Sequence, residues 1–198
     1  MAKVVKFPGP APEKFGLQRV RKKKEKSTER PEQLPLFVGG RVVKMSQLSS
    51  FEEALLHDEN NNLKAAKELY QKAIHEGDSL ADAYCNLGIL ESEEGNHAKA
   101  IDCFTQTLKL DPRHFEAHYN LANLYAEVGN YSLAKFHYGI SIEIEPSFPN
   151  SYFNLGLTLA MNKEFDEAVK KLYAFRNLSS GEDHSYTDEL IRQLTIVP

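Results

Sequence analysis

Two histidines four residues apart, His114 and His118 in the stretch HFEAH, have the spacing of a metal-binding pair. Positions i and i+4 share a helix face, so two imidazoles there can ligate one ion. No third ligand is evident nearby in the sequence, and the competing reading is an ordinary solvated helix edge. Cys85 and Cys103 stand at no metal or redox spacing and read as reduced thiols of a cytoplasmic protein. Cys85 has no implied base, and Glu93-Glu94 reads as charge on a solvent face. A glycine-rich phosphate loop, a nucleophile elbow and an HExxH motif are all absent. The expectation is a protein that is not an enzyme, with no catalytic residues, no metal and no cofactor.

Charge is distributed unevenly. Residues 1–44 hold 12 Lys/Arg against 4 Asp/Glu, whereas the remaining 154 hold 12 against 24. This is a basic tail on an acidic body. Residues 1–32 contain four of the nine prolines and the run RVRKKKEK, and are too polar to offset chain entropy by burial. They read as disordered. The basic run also fits nucleic acid, because each Lys or Arg near a phosphate releases a counterion. Next comes an apolar pentad built on Gln33, Leu34, Leu36 and Phe37. It resembles the QLxLF peptide by which bacterial polymerases and repair proteins hold the sliding clamp. The simpler reading packs its apolar side chains on the body or on a neighbouring chain. No apolar run is long enough for a membrane span, and no apolar stretch follows Lys3 and Lys6 as a secretion signal requires.

The elements that must position any site follow from an internal repeat. The stretch from Ala81 to Pro112 returns 34 residues later and again 34 later. Asn86, Asn120 and Asn154 fall in register, as do Leu87, Leu121 and Leu155, and Ala100, Ala134 and Ala168. A fixed period of this length marks a solenoid. Each unit reads as two helices, the first ending near Gly95, Gly129 or Lys163 and the second near Pro112, Pro146 or Ser180. Glycine permits the left-handed turn between the helices, and proline ends the second. Small residues at Gly88, Ala122 and Gly156 let the paired helices approach closely. Tyr84, Leu87, Phe104, Leu121, Tyr138, Tyr152, Leu155 and Leu172 are expected to fill the space between pairs. Counting back places a degraded repeat at 47–80, before clearer ones at 81–114, 115–148 and 149–182. A closing helix over 183–195 has Leu190, Ile191 and Leu194 on its inner face. The chain thus divides into a tail, 1–44, and a helical domain, 45–198.

At these residues the sequence resembles the tetratricopeptide repeat family, over about residues 47–182. The resemblance implies an all-α, right-handed solenoid that serves as a non-catalytic scaffold or adaptor. Thr107 and Ser141 stand where the family usually has alanine. Phe175 stands there in the last unit, so the array is expected to stop at it. A looser likeness is to the repeat-bearing half of bacterial helix-turn-helix regulators.

The resemblance also implies a concave binding face on the first helix of each unit. It maps onto Asp82, Cys85, Asn86, Ile89 and Glu93, then Glu116, Tyr119, Asn120, Asn123 and Glu127, then Asn150, Phe153, Asn154, Leu157 and Met161. A side-chain amide both donates and accepts, so Asn86, Asn120 and Asn154 suit an extended peptide backbone. The alternative is that each bonds a neighbouring helix. The family's clamp for a terminal carboxylate needs Lys and Arg on these helices, and they are absent. With Asp82, Glu93, Glu116 and Glu127 around it, the face favours a basic or amphipathic segment of another protein. Residues 14–37 of the chain itself, or of a second copy, are one such segment. The competing class is a nucleic-acid-associated replication or repair factor that uses the tail and the QLPLF pentad.

Overall fold

The computed structural model describes residues 16–21, 37–38, 41–42, 48–179 and 184–195. These fall into two compact units. The first, Arg19–Leu110, contains α1 (Ser50–Glu59), α2 (Leu63–Glu76), α3 (Leu80–Glu93) and α4 (His97–Leu110). It also holds a two-residue antiparallel pair, β1 (Phe37–Val38) and β2 (Arg41–Val42), with Phe37 opposite Val42. The second unit, from Asp111 together with residues 16–18, contains α5 (Phe115–Glu127), α6 (Tyr131–Ile144), α7 (Pro149–Met161), α8 (Phe165–Leu178) and α9 (Ser185–Thr195). The fold of the described residues is therefore all-α in tandem helix pairs, apart from that short β pair.

Local signals set the helix ends. Ser49 and Glu52 form a reciprocal capping box at the start of α1. Pro149 occupies the first turn of α7, where its missing N–H has no intrahelical partner to lose. Between paired helices the chain turns through left-handed residues: Gly95 at φ +77°, Gly129 at +78° and Lys163 at +65°. The following amides, of Asn96, Asn130 and Glu164, donate back to the carbonyls of Glu91, Tyr125 and Leu159. Lys163 thus carries the steric cost of a Cβ that glycine avoids in the two earlier turns.

Each helix pair closes over a small residue. A Cβ added at Gly88 would lie 2.9 Å from the Phe104 ring and 3.1 Å from Cys103 Cβ. One at Gly156 would lie 2.9 Å from Leu172 Cγ and Cδ2. The aromatic or branched side chain of the second helix fills the space the glycine leaves. The first unit gathers Phe51, Tyr70, Leu87 and Leu90 into one core, and the second gathers Tyr119, Tyr138, Leu157 and Leu172 into another. Tyr84 and Tyr152 are exceptions to the expected filling. Both are only partly buried, and the Tyr152 hydroxyl donates to the Pro146 carbonyl instead.

The departures from alanine have physical compensation. Thr107 is fully buried and donates to the carbonyls of Ala81 and Cys103. Ser141 is equally buried and shares a 2.9 Å hydrogen bond with Ser151. A buried hydroxyl left unpaired would cost about 1–3 kcal/mol. Phe175 lies 4.9 Å, centroid to centroid, from Phe153 and meets His184 edge-on at 5.8 Å. Behind them, α9 buries Leu190, Ile191 and Leu194 in the same core.

Candidate functional site: an asparagine-lined peptide seat

Six residues of the segment expected to lack structure are placed against the first helices of the repeats. In the second unit, Gln18 is held by Asn120 from the middle of α5. Its N–H donates to Asn120 Oδ1 at 2.7 Å, and Asn120 Nδ2 donates to its carbonyl at 2.8 Å. Asn123, one turn further along α5, donates to the carbonyl of Gly16 at 3.1 Å. In the first unit the same device recurs. The Val20 N–H donates to Asn86 Oδ1 at 2.9 Å, and Asn86 Nδ2 donates back to the Val20 carbonyl at 3.1 Å. One side-chain amide therefore satisfies both polar groups of one residue, as a neighbouring strand would. Gln18 in the second unit and Val20 in the first each have both backbone groups bonded to one asparagine, whereas Gly16 accepts through its carbonyl.

The asparagines are themselves held. In the first unit, Asn86 Nδ2 also donates to the Tyr70 hydroxyl at 3.2 Å, and that hydroxyl donates to Asp58 Oδ2 at 3.2 Å. Asp58 is buried at the end of α1 and receives Arg19 Nε at 2.8 and 2.9 Å. A second nitrogen of the same guanidinium reaches Glu93 at 2.9 Å. Burial opposes the charge on Arg19, but hydrogen bonds to Asp58 and Glu93 outweigh it and hold the guanidinium above its ordinary pKa. Burial, then the Asp58 charge, push the Tyr70 hydroxyl well above the usual phenol range, so it remains a donor. In the second unit, Asn123 Oδ1 accepts from the Tyr138 hydroxyl at 2.5 Å and from Asn154 Nδ2 at 3.0 Å.

Not every residue mapped to the concave face lies on this seat. Asn154 is in register with the other two asparagines, but its amide goes to the Tyr119 hydroxyl and to Asn123, so it braces the helices. Tyr119 is 1% exposed, edge-on to Phe148 at 5.1 Å, and burial pushes its hydroxyl up to about 12. It is a core residue. So are Ile89, Cys85 and Leu157. The Phe153 ring is taken by Phe175 and, at 6.5 Å, Tyr186. Glu127, Asn150 and Met161 are exposed, and Asp82 is half-buried. Glu116 is half-buried, 3.3 Å from the His114 ring. Gln33, Leu34 and Leu36 lie outside the described residues, and Phe37 is described by its backbone alone.

Sequence reasoning missed Asp58 and the polar role of Tyr70, because the repeat register aligns Tyr70 with Phe104 and so marks it as a core ring. One signal was present. A carboxylate in the last turn of a helix opposes the helix dipole by about 0.3–1 kcal/mol, a cost that a nearby cation offsets.

The two histidines engage different partners. His114 caps α5, its Nδ1 accepting from the Ala117 N–H at 3.2 Å. His118 faces His137, Nδ1 to Nδ1 at 2.9 Å, with its Nε2 3.2 Å from the Pro112 carbonyl. A carbonyl only accepts, so His118 carries its proton on Nε2 and His137 donates between the rings. No cluster of three or more metal-ligating side chains exists among the described residues. Burial, and then His118, push the His137 imidazole down to about 4, and burial lowers His118 as well. In the unfolded chain both titrate near 6.5, so unfolding takes up protons below that pH. Stability should be full above about pH 6.5 and fall progressively toward pH 4. Melting curves of the wild type and His137→Phe check this: the substitution should flatten the dependence in that window.

Both cysteines are free. Burial, then Glu91 and Asp102, push the Cys103 thiol up to about 11, so it is a poor nucleophile near neutrality. No helix among the described residues is long and apolar enough to cross a membrane.

Known proteins align with this geometry. One tetratricopeptide-repeat family profile matches residues 81–114. A second matches 103–136 and 137–170, in a frame that begins inside α4 and so joins successive helix pairs. No curated protein matches the sequence. Among solved structures, residues 41 to the end of MamA from Desulfovibrio magneticus RS-1 superpose with a TM-score of 0.62 at 17% identity. That match covers 74% of this chain and 91% of that one. YrrB, described as a TPR protein with an unusual peptide-binding site, gives 0.61 at 18% identity, covering 72% of this chain and 73% of its own. The first TPR of Spaghetti (RPAP3), bound to the HSP90 peptide SRMEEVD, gives 0.54 at 19% identity, covering 58% and 90%. These likenesses establish a shared all-α repeat fold.

Proposed function

This chain is a tetratricopeptide-repeat protein, and we propose that it is a non-catalytic scaffold that grips an extended segment of another protein. The observation that carries the reading is the paired hydrogen bonding of Gln18 by Asn120 and of Val20 by Asn86. A side-chain amide that satisfies both backbone groups of one residue accepts any residue in extended conformation. Its selectivity then comes from the side chains around it. Here those are acidic: Asp58 and Glu93 meet the arginine of the bound segment. A peptide ending in acidic residues, like the SRMEEVD bound by the RPAP3 repeat, would meet repulsion in place of partners. The segment in the seat is the chain's own, so a partner of the same chemistry must displace it, and its tethering raises its effective concentration. Arg19 is committed to carboxylates, which weakens the nucleic-acid alternative at that residue.

The test is affinity capture from cell extract with the wild-type chain and with Asn86→Ala combined with Asn120→Ala. Proteins retained by the first and lost with the second are the expected partners. Retention of the same set by both chains would remove the asparagine seat from the function.

A further inference from the structure

The asparagines read backbone, so something else must read sequence. In the first unit a single hydrogen-bonded chain joins the two tasks: Val20 backbone to Asn86, Asn86 to Tyr70, Tyr70 to Asp58, Asp58 to Arg19. Asp58 has 3% of its side chain exposed. A carboxylate so deeply buried stays charged only if a cation and a hydrogen-bond donor face it together. Tyr70 supplies the donor from within the fold. The cation comes from the extended segment. Val20, directly after it, is 6% exposed, a buried position that favours a small aliphatic residue. A cavity of about 460 Å³ opens beside them, lined by Leu55, Leu63 and Glu59 as well as by the two carboxylates.

Resting on the scaffold reading, we infer that Asp58, Tyr70 and Glu93 form an arginine-reading subsite, and that the partner presents Arg followed by a small aliphatic residue in extended conformation. Arg19-Val20 is the chain's own copy of that dipeptide and competes with it. The geometry selects arginine over lysine. Nε faces Asp58 while a terminal nitrogen faces Glu93, and a planar fork can serve two carboxylates in fixed directions at once. An ammonium is a point charge on a flexible stem and meets both only by losing more freedom.

Fluorescence anisotropy with a labelled peptide of sequence GLQRVR tests this on the full-length chain carrying Gln18→Pro, Arg19→Ala and Val20→Pro, which removes the two backbone N–H donors as well as the guanidinium of the internal copy. The peptide with alanine in place of its first arginine should bind at least about tenfold more weakly, and the lysine version should fall between. Adding Asp58→Asn to the receptor should collapse that preference to within about twofold. Because Asp58 is buried, Glu93→Gln on the partly exposed side provides a second variant, expected to reduce the preference about threefold without touching the core. The wild-type chain should bind the arginine peptide more weakly than the triple variant, since its own segment competes. Equal affinity for the arginine, lysine and alanine peptides would overturn the subsite while leaving the backbone seat intact. Binding of none of the three would overturn the scaffold reading and the subsite with it.

Discussion

Leu172→Ala is expected to lower stability by about 3 kcal/mol, measured as the shift in urea denaturation followed by circular dichroism. Leu172 is fully buried at the centre of the second unit's core. Its branch occupies the space over Gly156, where an added Cβ would come within 2.9 Å of it. Truncation removes three carbons of apolar contact and leaves a void whose opposite wall is bare backbone. Glycine has no side chain to move into that void, so it collapses only if α7 and α8 shift together. The same geometry fixes a second result. Gly156→Ala alone combines a helix-propensity gain of about 1 kcal/mol with an overpacking cost of about 1–3 kcal/mol, so it should be neutral to destabilising. In the double variant the new methyl enters the space Leu172 vacated. The pair should therefore be less damaging than the sum of its parts by about 1 kcal/mol or more. Strict additivity would mean that Gly156 and Leu172 do not share a crossing.

That crossing was legible in the sequence because the repeat states it several times over. Small residues at Gly88, Ala122 and Gly156, each sixteen positions before Phe104, Tyr138 or Leu172, give both the close approach and what fills it. The turns at Gly95 and Gly129 were equally plain, since only their backbone freedom explains glycine there. Lys163 shows that register outlasts residue type. The seat was half legible. Three asparagines in register look identical in sequence, yet Asn86 and Asn120 hold peptide while Asn154 holds Tyr119 and Asn123. What separates them is the neighbour each finds on the next element, and a one-dimensional register carries no record of it. For the same reason Tyr119 and Phe153 map in sequence to the concave binding face. Their aromatic surface is consumed by Phe148 and Tyr138 in one case and by Phe175 and Tyr186 in the other.

Asn120→Ala separates holding a peptide from holding the fold, because its two effects have different signs. Asn120 is buried in the middle of α5, a position where alanine is the better helix former by several tenths of a kcal/mol. The side chain's 2.7 and 2.8 Å hydrogen bonds run to the backbone of Gln18. Losing two such bonds costs the segment about 1–3 kcal/mol at typical net values, equivalent to roughly a ten- to hundredfold loss of occupancy. Thermal stability should therefore change little while the Gln18 amide loses protection by about one to two orders of magnitude in hydrogen exchange. Asn86→Ala should do the same to the Val20 amide in the first unit, and should also deprive the Tyr70 hydroxyl of its donor. Asn154→Ala is the contrast. Its donors go to Tyr119 and Asn123, so it should reduce stability by about 1–2 kcal/mol and disturb the segment only through Asn123. If Asn120→Ala lowered the melting temperature as much as Asn154→Ala and left the Gln18 amide protected, the asparagine at 120 would be a strut like the one at 154. The resemblance among the three repeats would then extend to their side-chain roles, and the seat would have to be sought elsewhere on the chain.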